Sequence, residues 1–410
     1  MQDGRRTTIA LSMLLVLYAL GFTNLFLRSS LGIMAPSLSR DMQLSPEELS
    51  LVASSFFFAY ALMQIPGGML LDRIGARLTL SILLLFTAAG AGMFALAGDA
   101  SELVLARVMM GIGCAGIFSG AFVVINQWVA PDKLVTQTGV LNSFAALGGL
   151  CATAPLAILL TYFDWRQCFW AFTTAVVVLL IAVITLLREP PGQRASGKET
   201  IVDVFSGVAR AIRQPGMKRL LVVGIPISIQ TALIGAWGTP YLRDVHGLDE
   251  IARGNVMLAM AVTSVFGHSF FGWLARLLNS VKQVIVGCSV AILLLTLVLV
   301  FVAKPPVVLV IAVFAAIGFV AMYPMLAFAH TRGLVPADLV GRGVAVTNMG
   351  LMSAIAISQL IFGWIVGLFP IDNGVAPEIA YRAAFAVLAA MTLFAIIVYA
   401  PVRDSKPSQT

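Results

Sequence analysis

Arg28 is the residue in this sequence best placed to do chemistry. It lies in a run that is otherwise apolar or weakly polar, Asn24-Leu-Phe-Leu-Arg28-Ser29-Ser30-Leu-Gly32-Ile-Met-Ala-Pro36. A guanidinium offers a planar fork of donors that matches a carboxylate or a phosphate. Counted back from Pro36, Arg28 is about 10 Å inside its segment, where snorkelling to water is awkward. The competing reading is a structural arginine bonded to helix carbonyls. Arg107 is the second such cation, in Arg107-Val-Met-Met-Gly111-Ile-Gly113, with backbone carbonyls or the nearby Asp99 and Glu102 as its expected partners.

The other ionisable groups are informative by where they fall. All 19 acids lie in loops or at segment ends, among them Asp41, Glu47, Glu48, Asp132 and Glu189. His246 is in a loop, His330 near a segment end, and His268 within an apolar segment. Histidine titrates near neutral pH, so His268 is a candidate for proton coupling, against a core histidine that is simply hydrogen-bonded. Cys114, Cys151, Cys168 and Cys288 lack any C-x-x-C spacing and read as buried free thiols. No His/Cys/Asp cluster suggests a metal, and no phosphate loop or dinucleotide fingerprint is present. Neither a cofactor nor an enzymatic activity is expected. Polar side chains within apolar segments are candidates to line a cavity: Asn24, Tyr60, Gln64, Asn126, Gln127 and Asn142 early in the chain, then Gln230, Trp237, Tyr323, Asn348 and Gln359.

The elements that must position these residues follow from composition. The chain of 410 residues is 60% hydrophobic and 11% charged, with mean hydropathy +0.97. That excludes a soluble enzyme, a disordered chain and, despite the net charge of +7, a nucleic-acid binder. At about 20 apolar residues per bilayer crossing, twelve spans are expected, at 8–35, 48–70, 78–98, 101–130, 135–161, 166–187, 218–242, 252–275, 283–303, 306–331, 343–369 and 379–400. The first is too long for a signal-peptide core and has no small-residue cleavage site after it. The polar stretch after Arg188 divides the chain into residues 1–188, a loop at 189–217, and residues 218–410. Eighteen Lys and Arg fall on the side of the N-terminus and six on the other, which places both termini in the cytoplasm.

The halves repeat each other. Pro131-Asp132-Lys133-Leu134-Val135 precedes Gly139 and Asn142, and Pro336-Ala337-Asp338-Leu339-Val340 precedes Gly343 and Asn348. Trp165-Arg166-Gln167-Cys168-Phe169 matches Tyr381-Arg382-Ala383-Ala384-Phe385. Parallel six-helix repeats of this kind build carriers with a midplane site between the halves.

Gly68-Met-Leu-Leu-Asp72-Arg73-Ile-Gly75-Ala-Arg77 resembles the signature loop of the major facilitator superfamily, G-x-x-x-D-R-x-G-x-R, and the resemblance extends over the whole chain. Gly68 is expected to allow close helix approach. Asp72 is expected to cap a helix, and Arg73 and Arg77 to bind carboxylates or lipid phosphate. The resemblance implies a conformational latch here. The second-half counterpart, Gly272-Trp-Leu-Ala-Arg276, lacks the acid. The Arg28 segment and Gln64-Ile-Pro66-Gly67-Gly68 are similar to organophosphate antiporters and anion:cation symporters, whose span-1 arginine binds the anionic substrate. Gln230 and Thr231 stand where the organophosphate branch carries a second arginine, which suits a monoanion.

The resemblance implies an all-α membrane protein of two six-helix bundles, a monomer in the inner membrane. It implies secondary or facilitative transport of a small carboxylate-type anion, with a proton or other ion as possible co-substrate. The substrate-binding candidates are Arg28, Asn24, Tyr60, Gln64, Gln230, Trp237, Tyr323 and Asn348. The alternative is an exporter of amphipathic compounds. The lack of a mid-span carboxylate and the weak match of Gly148-Gly149-Leu-Cys-Ala-Thr-Ala-Pro155 to the drug-antiporter motif count against it.

Overall fold

Apolar segments inside a bilayer must satisfy their own backbone groups, and the helix does so within one segment. The computed structural model describes residues 2–189, 201–372 and 374–405. The described residues are helical apart from connections and one isolated bridge between Asp372 and Val375. The side chains of residues 2–10, Ile201 and His268 lie outside what is described, as do loop residues 190–200, so the roles expected of Arg5, Arg6, Arg194, Lys198 and His268 fall there.

In chain order the α-helices are α1 (Gln2–Met42), α2 (Pro46–Leu62), α3 (Gln64–Leu96), α4 (Ala100–Ala115), α5 (Ile117–Trp128), α6 (Leu134–Cys151), α7 (Ala154–Leu160) and α8 (Trp165–Leu186). Then come α9 (Ile201–Ile212), α10 (Met217–Leu220), α11 (Gly224–Ala232), α12 (Gly238–His246), α13 (Glu250–Leu277), α14 (Val281–Phe301), α15 (Val307–Val320), α16 (Pro324–Leu334), α17 (Val340–Gly367) and α18 (Glu378–Tyr399). Eleven helical stretches are long and apolar enough to cross a membrane. They match eleven of the expected spans. The other, expected at 48–70, is divided: α2 is 17 residues long and the chain turns at Met63 into α3.

Three expectations about boundaries are corrected. Helix α1 runs through Pro36 to Met42, so Arg28 is deeper than expected, about 21 Å from that end. The loop expected between the second and third spans is reduced to a sharp break within the residues of α3. Helix α3 continues through, broken only at Gly75 with φ 81° and ψ 168°. Glycine adopts this conformation without strain, and a Cβ there would collide with the Glu189 carboxylate. Finally, the expected loop at 189–217 contains α9.

Other breaks interrupt long apolar stretches. Span 4 kinks at Gly116, span 5 at Ala152 and Thr153 ahead of Pro155, and span 10 at Ala321–Tyr323 ahead of Pro324. In span 7 a π-helical turn, Leu233–Trp237, joins α11 to α12. Helix starts are capped where the sequence provides the cap. Ser45 with Glu48 and Asp164 with Gln167 form capping boxes, and Asp99, Asp249 and Ser280 accept from backbone amides two or three residues on.

Successive helices alternate between two faces of the bundle. The face with both described chain ends is called here the termini face and the opposite one the far face. Within the first half α1 packs on α6 and α8, α2 on α4, and α3 on α4 and α8. Within the second, α11 and α18 pack on α17, α13 on α15, and α14 on α15 and α18. Toward the far face the halves meet: α2 against α17, α1 against α12 and the π-turn, and α7 against α13. Gly32 and Gly363 permit these approaches, since a side chain at either would strike the Ile234 carbonyl or Ser50. Ser50 donates to the Gln359 carbonyl at 2.9 Å and Thr239 to the Gly32 carbonyl, which seals the halves together at these two points toward the far face.

Candidate functional site

Arg28 is close to the midpoint of its membrane-crossing stretch, Leu11–Met42, and its side chain is half-buried. The guanidinium sits 5.3 Å from the centroid of the Phe57 ring on α2. Tyr60 and Cys114 are its neighbours on α2 and α4. Among the described residues it has no hydrogen-bond acceptor and no ion-pair partner. A cation held at mid-depth with unused donors has the chemistry to pair with an anion.

Arg107 behaves differently. It is 1% exposed, donates to the carbonyls of Val52 at 3.4 Å and Leu27 at 3.2 Å, and stacks 4.5 Å from the Phe56 ring. It ties α1 and α2 to α4 and is structural. Asp99 and Glu102, its alternative partners, instead cap the start of α4. In Asp99, hydrogen bonds from the Ser101 hydroxyl and then the Glu102 amide hold the carboxyl below the usual range.

The remaining candidates separate into those that bridge and those buried elsewhere. Gln64 accepts from Asn348 at 2.7 Å and donates to the carbonyls of Tyr60 and Ala115 at 3.4 and 3.3 Å. These two residues join the halves. Asn24 donates to the Cys114 carbonyl at 2.7 Å, beside the Gly116 kink. Tyr60 is buried on the Arg28 side of α2, next to Phe56. Gln230 donates to Ser264 at 3.2 Å within the second half. Trp237 is stacked on Phe362 with ring centroids 5.0 Å apart, and its Nε1 has no hydrogen-bond partner among the described residues. Gln359 is fully buried and donates to the Thr231 carbonyl at 3.2 Å, beside the π-turn. Tyr323 does not face the junction. It is fully buried in the second half, bonded to Ser289 and to the Val223 carbonyl at 3.2 and 3.4 Å. Asn126, Gln127 and Asn142 are exposed.

The signature loop is on the termini face. Asp72 and Arg73 each have interaction partners, and Arg77 donates to the Ile184 carbonyl at the end of α8. Gly68 does not mediate close approach here, since a Cβ would meet nothing within 4 Å. His330 is buried between the Tyr399 hydroxyl at 2.6 Å and the Arg403 carbonyl at 2.8 Å. Cys114 and Cys288 are buried, but Cys151 and Cys168 are only half-buried, which corrects the expectation for those two. Among the described residues no group of three or more His, Cys, Asp or Glu could hold a metal.

Sequence reasoning missed Phe57, whose ring lies under Arg28. Its signal was the run Phe56-Phe57-Phe58 preceding Tyr60. It also missed Ser50 and Thr239, small hydroxyls whose role depends on a partner helix far away in the chain.

The family model of the Major Facilitator Superfamily matches residues 17–358. Among curated proteins, the hexuronate transporter of Bacillus subtilis (strain 168) is 28% identical over 208 residues, 51% of this chain and 47% of that protein. The chain therefore spans about half the length of this relative. The probable galactarate/D-glucarate transporter GudP of Escherichia coli (strain K12) is 24% identical over 425 residues, covering 95% of this chain and 94% of that one. Among solved structures, nucleoside transporter NupG superposes with a TM-score of 0.78 at 13% identity, covering 95% of this chain and 100% of that chain. A D-xylose-proton symporter superposes at 0.74 and 14%, covering 98% and 99%. The matched stretch, the split helices packed in two halves and the Gly68–Arg77 loop agree: the chain belongs to the major facilitator superfamily, a family of membrane transporters.

Proposed function

We propose that the protein carries a small organic anion of the sugar-acid type across the inner membrane, with Arg28 binding its carboxylate. The observation that carries this reading is the mid-depth Arg28 guanidinium without a hydrogen-bond or ion-pair partner among the described residues. Relatives named as hexuronate and galactarate/D-glucarate transporters support the substrate class.

In this reading the chain crosses the membrane twelve times with both ends in the cytoplasm. Residues 1–188 and 218–410 form two six-helix bundles, joined by 189–217, that rock about the midplane as a monomer. The sealed far face is the outer side, so the conformation is closed to the outside. The Gly68–Arg77 loop acts as the latch of the opposite state. A bound carboxylate compensates the Arg28 charge and lets the loaded carrier close, while the empty one retains an uncompensated cation. A proton or other ion is the co-substrate of a symport.

The test is a thermal-shift and uptake screen of wild type, Arg28→Ala and Arg28→Lys against hexuronates, aldarates, aldonates, nucleosides, pentoses and lipophilic cations. A ligand at 100 times its Kd stabilises by about 2.7 kcal/mol. Sugar acids are expected to stabilise wild type and not Arg28→Ala, with Arg28→Lys intermediate because it keeps the charge and loses the fork. A shift by lipophilic cations alone, or an equal response from Arg28→Ala, rules the assignment out.

A further inference from the structure

Helix α9 lies outside the transport path and carries three distinct strips around its axis. Gly207, Val208 and Ala211 are buried on one side, against the start of α17 and the turn at Ala337–Leu339. Arg342 lies across Gly207, where a Cβ would strike its guanidinium and stem. A helix docked by one face should expose polar residues elsewhere. Here the adjacent strip is apolar and open: Val202 is 75% exposed and Phe205 52%, with Ala209 between them and the end of the helix. Only the third strip is polar, with Asp203, Ser206, Arg210 and Arg213 all exposed.

The cations continue beyond the helix. Lys218 and Arg219 are exposed at the start of α10, inside the membrane-crossing stretch Met217–His246. The patch thus holds four cations, Arg210, Arg213, Lys218 and Arg219, and one acid, Asp203. One edge of α9 rests on protein, one is apolar, and one is basic, at the level where a spanning helix begins. That is the arrangement of an interfacial helix, with its apolar strip at the acyl boundary and its cations among headgroup phosphates.

We propose that α9 with the start of α10 is a binding surface for anionic phospholipid in the leaflet on the termini face. The occupant is specified by charge and by continuity with the apolar membrane-crossing stretch that begins at Met217. The proposal is independent of the substrate reading and of Arg28. By lying in the leaflet and holding the start of α17, the surface links lipid composition to the second half of the carrier.

The test uses the full chain in vesicles of phosphatidylcholine with or without phosphatidylglycerol. Phe205→Trp adds an indole on the apolar strip, and its emission is read as the difference from wild type. Brominated phosphatidylcholine or brominated phosphatidylglycerol serves as quencher. The expected result is quenching by both, stronger with brominated phosphatidylglycerol, and loss of that preference in Arg210→Glu/Arg213→Glu. Reversing two charges should lower phosphatidylglycerol retention by at least roughly thirtyfold, read by native mass spectrometry of the detergent-extracted protein. Absence of quenching by either lipid overturns the proposal, whether water or a protein partner covers the strip. Equal quenching by both lipids, unchanged by the charge reversals, overturns the anionic preference. Gly207→Leu gives a second reading from the docked side. It should detach α9 from Arg342 and change Phe205→Trp quenching, while the global melt stays within a few degrees.

Discussion

Asn348 on α17 donates a 2.7 Å hydrogen bond to Gln64 on α3, and this bond joins the two halves of the carrier away from the far-face seal. Gln64 also spans two helix breaks, donating to the Tyr60 carbonyl before the Met63 turn and to the Ala115 carbonyl before the Gly116 kink. Its amide is therefore fully committed. Asn348→Ala is expected to cost about 1 kcal/mol and Gln64→Ala about 2. The double variant should cost less than their sum, because the same bond is removed twice. Thermal melts of the three variants check this. Additive losses would mean the bond is not a coupling between the halves.

The two buried arginines predict opposite outcomes. Arg107→Met removes donors from the Leu27 and Val52 carbonyls and a ring contact with Phe56, and should destabilise by about 2–4 kcal/mol. Arg28→Met removes a charge whose contact is the Phe57 ring and which has no hydrogen bond or ion pair among the described residues, and should leave the melt unchanged or raise it. Melts without ligand compare the two directly. Equal destabilisation by both substitutions would give Arg28 a structural role.

The repeated aromatic-Arg pair forms equivalent clamps in each half. Arg166 donates to the Ala97 carbonyl after α3, and Arg382 donates to the Val300 carbonyl in α14, both at 2.7 Å. Trp165 bonds Asp41 at the end of α1, and Tyr381 bonds Asp244 near the end of α12, at 3.1 and 2.6 Å. Asp244 has a 2% exposed side chain paired with Arg243 at 2.6 Å, whereas Asp41 is 41% exposed. Asp244→Ala should cost about 3 kcal/mol and Asp41→Ala under 1. Chemical unfolding in one detergent measures both.

Asp404 predicts a pH dependence. Partial burial raises its carboxyl, but bonds from Ser280 and the backbone amides of Lys282 and Ser405 outweigh it, so the net direction is down. A carboxyl lowered on folding stabilises above its unfolded value, near 3.9 for Asp, and that contribution disappears as pH falls through the folded value. Asp404→Asn should therefore melt below wild type at pH 7, with the gap closing in acid. A gap that widens in acid has the wrong sign.

Much of the fold could be read because a span is a local property of composition. The repeat between Trp165-Arg166 and Tyr381-Arg382 was legible for the same reason: both pairs contact the helix end that precedes them in their own half. Arg28 was legible because a cation in an apolar run is conspicuous. What stayed hidden depends on partners. Tyr323 looked like a cavity residue because Pro324 marks a break, but the break turns the ring inward against Ser289. Gly68 matches a motif glycine yet a Cβ there would touch nothing, while Gly32, in no motif, lies against the Ile234 backbone of the other half. Helix α9 was obscured by the charges around it, although Val204, Val208 and Ala211 follow helical spacing.

The broken helices have a mechanical consequence. Met63, Gly116, Thr153, the turn at Leu233–Trp237 and Tyr323 all interrupt their rods well inside the bundle rather than at its ends. Stiffness is thus distributed unevenly along the membrane normal: two rigid slabs meet at a compliant layer, and Arg28 sits within it. Under the proposed alternating-access reading, an anion bound at that level loads five joints at once. On the same reading the far-face seal opens through flexure shared among those joints, each turning through a small angle.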